Sequence, residues 1–179
     1  MPISEMLIDT LATTPDALER LYNSFPPDAL RWSPENWESV PGERFNAVGQ
    51  ACHLRDIEVD GYHVRFRRIR EEAHPDLESL DGYAMATARN YDGADLAESL
   101  RAFRTAREAT LQSLRSLSPE ETARTAMFAE HGVVTTMGLV YLLCSHDQQH
   151  LATLHWLLSR IASSSEPRFN LPLNTPSPV

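Results

Sequence analysis

The chain has 179 residues, 42% of them apolar, with 25 acidic residues against 16 basic ones and a net charge of −9. That length suits one domain with a core large enough to fold unaided, and the acidic balance excludes general binding to nucleic-acid phosphates. All 16 basic residues are Arg, which excludes Schiff-base catalysis on a lysine and a P-loop with its phosphate-binding lysine.

In chain order, the first apolar segment runs from Ser4 to Phe25, with Leu7, Leu11, Leu18, Leu21 and Phe25 at helical spacings. Thr14-Pro15-Asp16 reads as a helix start, Thr14 as N-cap and Pro15 in the first turn, so a break near Thr13 is expected. A Pro-rich connector from Pro26 to Glu43 carries Trp32 and Trp37. A second helix is predicted from about Arg44 to Glu72. Its main row holds Phe45, Val48, Cys52, Val59, Tyr62, Phe66 and Ile69, interrupted by Arg55, and a thinner row holds Ile57 and Val64. A helix apolar on two sides must bury both, one in the bundle and the other under a second subunit or the following loop. That loop, His74 to Gly93, carries Pro75, Asp81-Gly82 and Asp92-Gly93 as turn signals.

A third helix is predicted from about Ala94 to Leu117, with Arg107 close to its inner stripe, where a carboxylate, ligand or solvent must meet it. Ser118-Pro119-Glu120-Glu121 opens a short helix to about Ala126. Phe128 to Val134 is short enough to be extended, and Thr135 caps a last helix reaching about Ala162. The domain division is therefore residues 1–162 as the bundle and 163–179 as a Pro-rich extended tail packed on the body. Four long helices joined by unequal loops make an all-α four-helix bundle with crossover connections.

Two cysteines, Cys52 and Cys144, do not form a disulfide framework and read as buried, inert thiols. The start, Met1 to Glu5, has neither a basic nor a long apolar stretch, and no segment offers the roughly 18 apolar residues of a membrane span, so a cytoplasmic protein is expected. Arg65, Arg67, Arg68 and Arg70 read first as a solvated face paired with Glu71 and Glu72, and second as an anionic-substrate contact or dimer salt bridges.

The chemistry-bearing segment is Cys144-Ser145-His146-Asp147-Gln148-Gln149-His150-Leu151. His146 and His150 are neighbours on one helix face, together with Leu139, Leu143, Thr153 and Leu157. Two imidazoles in an apolar stripe either bond to backbone and water or share a metal ion. The spacing is also that of the zinc-protease motif His-Glu-x-x-His. Asp147, one methylene shorter than the usual base, argues against that reading. A catalytic site needs a third ligand, for which His53, His63, His74 and His131 are available. An adjacent long helix favours His53 or His63, and periodicity does not choose between them.

His53-Leu54-Arg55-Asp56-Ile57-Glu58, then Asp60-Gly61-Tyr62, and later His146-Asp147-Gln148-Gln149-His150-Leu151 resemble the DinB-like family, also described as damage-inducible or YfiT-like metal-binding four-helix proteins. Trp37 to Val40 and Trp156-Leu157-Leu158 fit as well, and the resemblance covers roughly residues 4 to 162. The family's pattern of one histidine on the second helix and an H-x-x-x-H pair on the last implies His53, His146 and His150 as metal ligands. It further implies a divalent ion, nickel or zinc, and a homodimer. The implied activities are those of thiol-dependent transferases and isomerases using a low-molecular-weight thiol, or of metal-dependent hydrolases. A non-enzymatic metal-binding stress or interaction protein is the alternative. Three neutral imidazoles would leave the ion's charge intact to activate a water or a thiol of a small-molecule substrate. Asp60, two turns along from His53, is the candidate base or supporting acceptor, and Asp56 a weaker one.

Overall fold

A computed structural model describes residues 3–165. Four long helical elements form the bundle: α1 (Glu5–Tyr22), a rod made of α2 (Ala47–Asp56) and α3 (His63–Glu71), α5 (Leu96–Arg115) and α7 (Thr136–Ser165). α2 packs on α5 and α7, and α1 on the same two helices. Shorter elements are α4 (Gly82–Ala88), α6 (Pro119–Thr122) and the strands β1 (Asp76–Leu77), β2 (Thr125–Phe128) and β3 (Gly132–Thr135). The strands form one small sheet in the order β1-β2-β3, with β1 parallel and β2–β3 antiparallel, Phe128 opposite Gly132. Among the described residues no helix is long and apolar enough to cross a membrane.

Several ends follow from the residues at them. Ser4 caps α1 by accepting from the Leu7 N–H at 3.4 Å, and Asn46 caps α2 by accepting from Gly49. Ser118 and Glu121 form a reciprocal capping box around Pro119. The Gly138 N–H donates to Thr135 Oγ1 at 3.0 Å, so Thr135 opens α7 as expected.

Three expectations are corrected. α1 does not break near Thr13: the helix runs through Pro15. Proline leaves the carbonyl four residues back, on Leu11, without a helical N–H. Arg107 of α5 donates to that carbonyl at 3.1 Å. Thr14 is not a cap; its hydroxyl faces Thr10 O and Asp147. The loop from His74 to Gly93 is not featureless. It holds β1 and α4, and its Tyr91 covers Val48 and Cys52, so the chain's own loop buries this part of the main apolar row, while Ile57 of the thinner row lies in the bundle core. Finally, α2 and α3 are joined by a π-helical segment, Ile57–Tyr62, rather than by continuous α-helix. Its wider turn shifts the inward face. Val59 is therefore 42% exposed and Glu58 is 1% exposed, the reverse of the expected row. The expected packing of the tail lies outside the described residues.

The core has two apolar layers. One gathers Leu7, Leu11, Ile57, Phe66, Leu111 and Leu143, the other Leu18, Leu54, Phe103, Leu154 and Leu157. Between them lies a polar layer in which Arg107 meets Glu58 and Asp147, all at most 1% exposed.

Candidate metal centre

α7 carries His146 and His150 one turn apart, and α2 brings His53 opposite them. His150 Nε2 lies 3.1 Å from His146 Nε2, which lies 3.3 Å from His53 Nε2. A fourth group, Glu43, comes from the connector. Its carboxylate oxygens are 3.6 Å from His53 Nε2 and 3.4 Å from His150 Nε2. One ligand atom from each of the four falls within 4.8 Å of the others.

The connector is pinned where it delivers Glu43. Trp37 stacks on Trp156 of α7 with ring centroids 5.7 Å apart. A Cβ on Gly42 would sit 3.0 Å from Thr153 Oγ1, so glycine permits the close approach of the connector to α7. Gln50 on the first turns of α2 completes the brace. Its amide nitrogen donates to Glu43 O at 2.8 Å and Phe45 O at 3.1 Å. Two carbonyl acceptors orient the amide, so its oxygen faces His150 Nδ1 as an acceptor. His150 therefore carries its proton on Nδ1 and turns the bare Nε2 lone pair toward the cluster.

Electrostatics favour neutral rings. Burial pushes His146 down to about 3, with His53, Arg107 and Arg65 adding to the shift. Burial also pushes His150 well below its ordinary value, reinforced by His146 and His53. His53 is lowered by burial against the opposing pull of Glu43 and Asp56. Neutral imidazoles and a carboxylate are a zinc-type donor set, and ligands about 2.0–2.1 Å from such an ion lie roughly 3.3 Å apart in a tetrahedron. Four separations in the cluster, 3.1–3.6 Å, match that spacing, and all lie within 4.8 Å. The residues fit a divalent ion.

A cavity of about 350 Å³ opens on the cluster, lined in part by Glu43, His53, Tyr62, Arg65, Phe128 and His146. The small sheet contributes Phe128 to its wall. Gly82, first residue of α4, comes close to the His53 ring: a Cβ there would be 2.7 Å from Cε1.

The other candidates go elsewhere. Asp60 does not join the cluster or line the cavity; it pairs with Arg89 at 2.7 Å and is 39% exposed. The π-segment alters the seven-residue register that would have kept it above His53. Asp56 is bound by Arg55, Arg89 and the Tyr91 hydroxyl, and thereby anchors the loop. His63 contacts Ala106 O and Thr110, His74 contacts Thr125, and His131 packs on Phe128 in the cavity wall, outside the ligand cluster. Cys52 and Cys144 are free and buried outside the cluster, and burial raises both thiols, Cys144 to about 11. His155 is exposed. Asp147 points off the histidine face of α7 and is held by Arg107 and Thr14, which removes it as a protease-type base.

Arg107 meets carboxylates, as its position required. Nε and Nη2 donate to Glu58 at 2.8 and 2.9 Å, Nη1 and Nη2 to Asp147 at 2.5 and 3.0 Å, and Nη1 to Leu11 O. All five guanidinium N–H groups are used. Burial pulls Arg107 down, but the two carboxylates outweigh it and keep its pKa above normal. Burial pushes Asp147 up against the pull of Arg107.

A family model for the DinB superfamily matches residues 10–154. The chain belongs to the DinB superfamily. Its fold is that of YfiT from Bacillus subtilis, a structure described as "a probable metal-dependent hydrolase with an unusual four-helix bundle topology". The two superpose with a TM-score of 0.76 at 19% identity, over 88% of this chain and 87% of that one. A search of curated protein sequences returns no match. Within this DinB-superfamily chain, Glu43 is the site residue that sequence reasoning missed. It lies on an irregular connector, where no periodicity marks an inward face. The nearest signal was Trp37 to Val40, part of the family resemblance, just upstream.

Proposed function

We propose that this chain is a metal-dependent enzyme acting on a small molecule, as a hydrolase or a thiol S-transferase, with a divalent ion, nickel or zinc, held by His53, His146 and His150. The observation that carries this reading is the convergence of the three Nε2 atoms and the Glu43 carboxylate at the floor of a cavity, with His150's lone pair directed there by Gln50. A bound ion would supply a Lewis acid able to lower the pKa of a ligated water or thiol. The chain's own residues do the rest. Buried, neutral histidines present lone pairs without competing protons, and Gln50 fixes one ring. Glu43, beside the three histidines, accepts the proton from the attacking group in place of Asp60. The description of YfiT as "a probable metal-dependent hydrolase" supports hydrolysis, and the family resemblance supports S-transfer with a low-molecular-weight thiol. The proposal includes a cytoplasmic homodimer.

Glu43 also favours a second reading. As a permanent fourth ligand it would close a tetrahedral site and leave a metal-binding, non-enzymatic protein. Glu43→Gln separates the two. An enzyme using Glu43 as base retains its ion and loses turnover of thioester and thiol–electrophile substrates. A closed site instead loses affinity for the ion. Elemental analysis of untagged protein is the prior test: less than about a tenth of an equivalent of metal, not restored by added nickel or zinc, overturns both readings.

A further inference from the structure

Arg65 lies 94% buried in the wall of the cavity over the histidine cluster and has no carboxylate partner among the described residues. Arg107, the other deeply buried arginine among the described residues, has two. Nε and Nη2 of Arg65 donate to one backbone carbonyl, Glu78 O, at 3.3 and 2.9 Å. Its guanidinium lies over the Tyr62 ring at 5.1 Å and the Phe128 ring at 4.5 Å. These contacts fix the plane of the group and offset part of its desolvation, yet none neutralises its charge. Nη1 has no protein acceptor among the described residues. Gly61 leaves it room, since a Cβ there would stand 3.0 Å from Nη1.

A buried cation held by stacking, with its outer nitrogen unclaimed in a cavity wall, is built for an anion from outside the fold. We propose that the cavity selects ligands carrying a carboxylate and that Arg65 receives it. A single guanidinium, with Glu43 facing the same cavity, suits one negative charge better than the two of a phosphate ester. The proposal builds on the metal-dependent reading, because it specifies the substrate of that same site.

Calorimetric titration of the zinc-loaded protein with 3-mercaptopropionate and with 3-mercaptopropionamide tests it. The acid is expected to bind about tenfold tighter or better than the amide, and the preference is expected to shrink to within about twofold in Arg65→Gln. Arg65→Lys retains part of the preference. Equal affinity of acid and amide for the unmodified chain overturns the proposal without any variant, as does a preference that survives intact in a folded Arg65→Gln protein. Saturation-transfer NMR on the metal-free chain with propionate and propionamide reads Arg65 without the ion. A chain that takes up no zinc overturns the metal site, while preference for propionate still supports this inference and its absence still overturns it.

Discussion

Replacing Arg107 by Met removes the guanidinium and keeps most of the side chain's apolar stem. Glu58 and Asp147, at most 1% exposed, are then left in the polar layer without a cation. Removing one partner of a buried charge cluster costs about 3–5 kcal/mol. That is a large share of the roughly 5–15 kcal/mol that holds a domain folded, and lowers the melting temperature by roughly 6–20 °C. Without Arg107, whose charge opposes the upward push of burial on Asp147, that carboxyl becomes harder still to ionise in the folded chain, so the folded state holds a proton that the unfolded state releases. Stability of the variant relative to wild type therefore falls as pH rises from the ordinary carboxylate range toward the raised pKa of Asp147 and recovers on acidification. Urea unfolding followed by circular dichroism, at pH 7.5 and pH 5.0, measures both effects. Changing all three together, Arg107→Met with Glu58→Leu and Asp147→Leu, recovers the part of the loss due to the unpaired carboxylates, because Thr14 and Thr110 retain carbonyl acceptors on their own helix, while the Leu11 carbonyl stays bare. A cost below about 1 kcal/mol for Arg107→Met, with no dependence on pH, refutes the reasoning.

Gln50→Ala frees the His150 ring and is expected to weaken zinc affinity by about 10–100-fold in a chelator competition assay, with secondary structure unchanged. Gly82→Ala places a methyl 2.7 Å from His53 Cε1 and is expected to lower zinc affinity by a similar factor while α4 persists; unchanged affinity would show that the ring yields without cost. Acid should destabilise the metal-free protein. His146 is depressed from 6.5 to about 3, so the unfolded chain binds a proton that the folded chain refuses, and stability falls by about 1.4 kcal/mol per pH unit on this account as pH drops from about 6 toward 3. Chemical unfolding across that range checks the slope, and a flat profile contradicts buried neutral rings.

Much of the helical frame was legible because its signals are local. The four-residue spacing of His146 and His150, the Thr135 cap and the Ser118-Pro119 start each depend on neighbours in the chain. What escaped depends on contacts between distant segments. Pro15 reads as a helix start until Arg107, on another helix, meets the carbonyl that proline leaves bare. The π-segment has no spacing of its own, and it moved Glu58 inward and Asp60 out of the site. Two- and four-residue strands are too short for alternation to show. His53 could not be separated from His63 by periodicity; the family resemblance selected it, and the fold brings it to His146. Glu43 was invisible because packing against Trp156 and Thr153, rather than any repeat, directs its loop.

The carbonyl of Leu11 has a consequence for how the molecule opens. Helices ordinarily fray from their ends one turn at a time, each step breaking bonds that water can replace. In α1 such unzipping meets a barrier at Leu11, because the next step strips an acceptor from a guanidinium sealed between two apolar layers. Only the exposed start, Glu5 and Met6, is free to breathe; from Leu7, buried in the core, the helix is held by its side chains, and at Leu11 by its own backbone as well. A residue usually counted as a helix breaker thus ties the middle of this helix to the buried charges, so that its release is coupled to theirs.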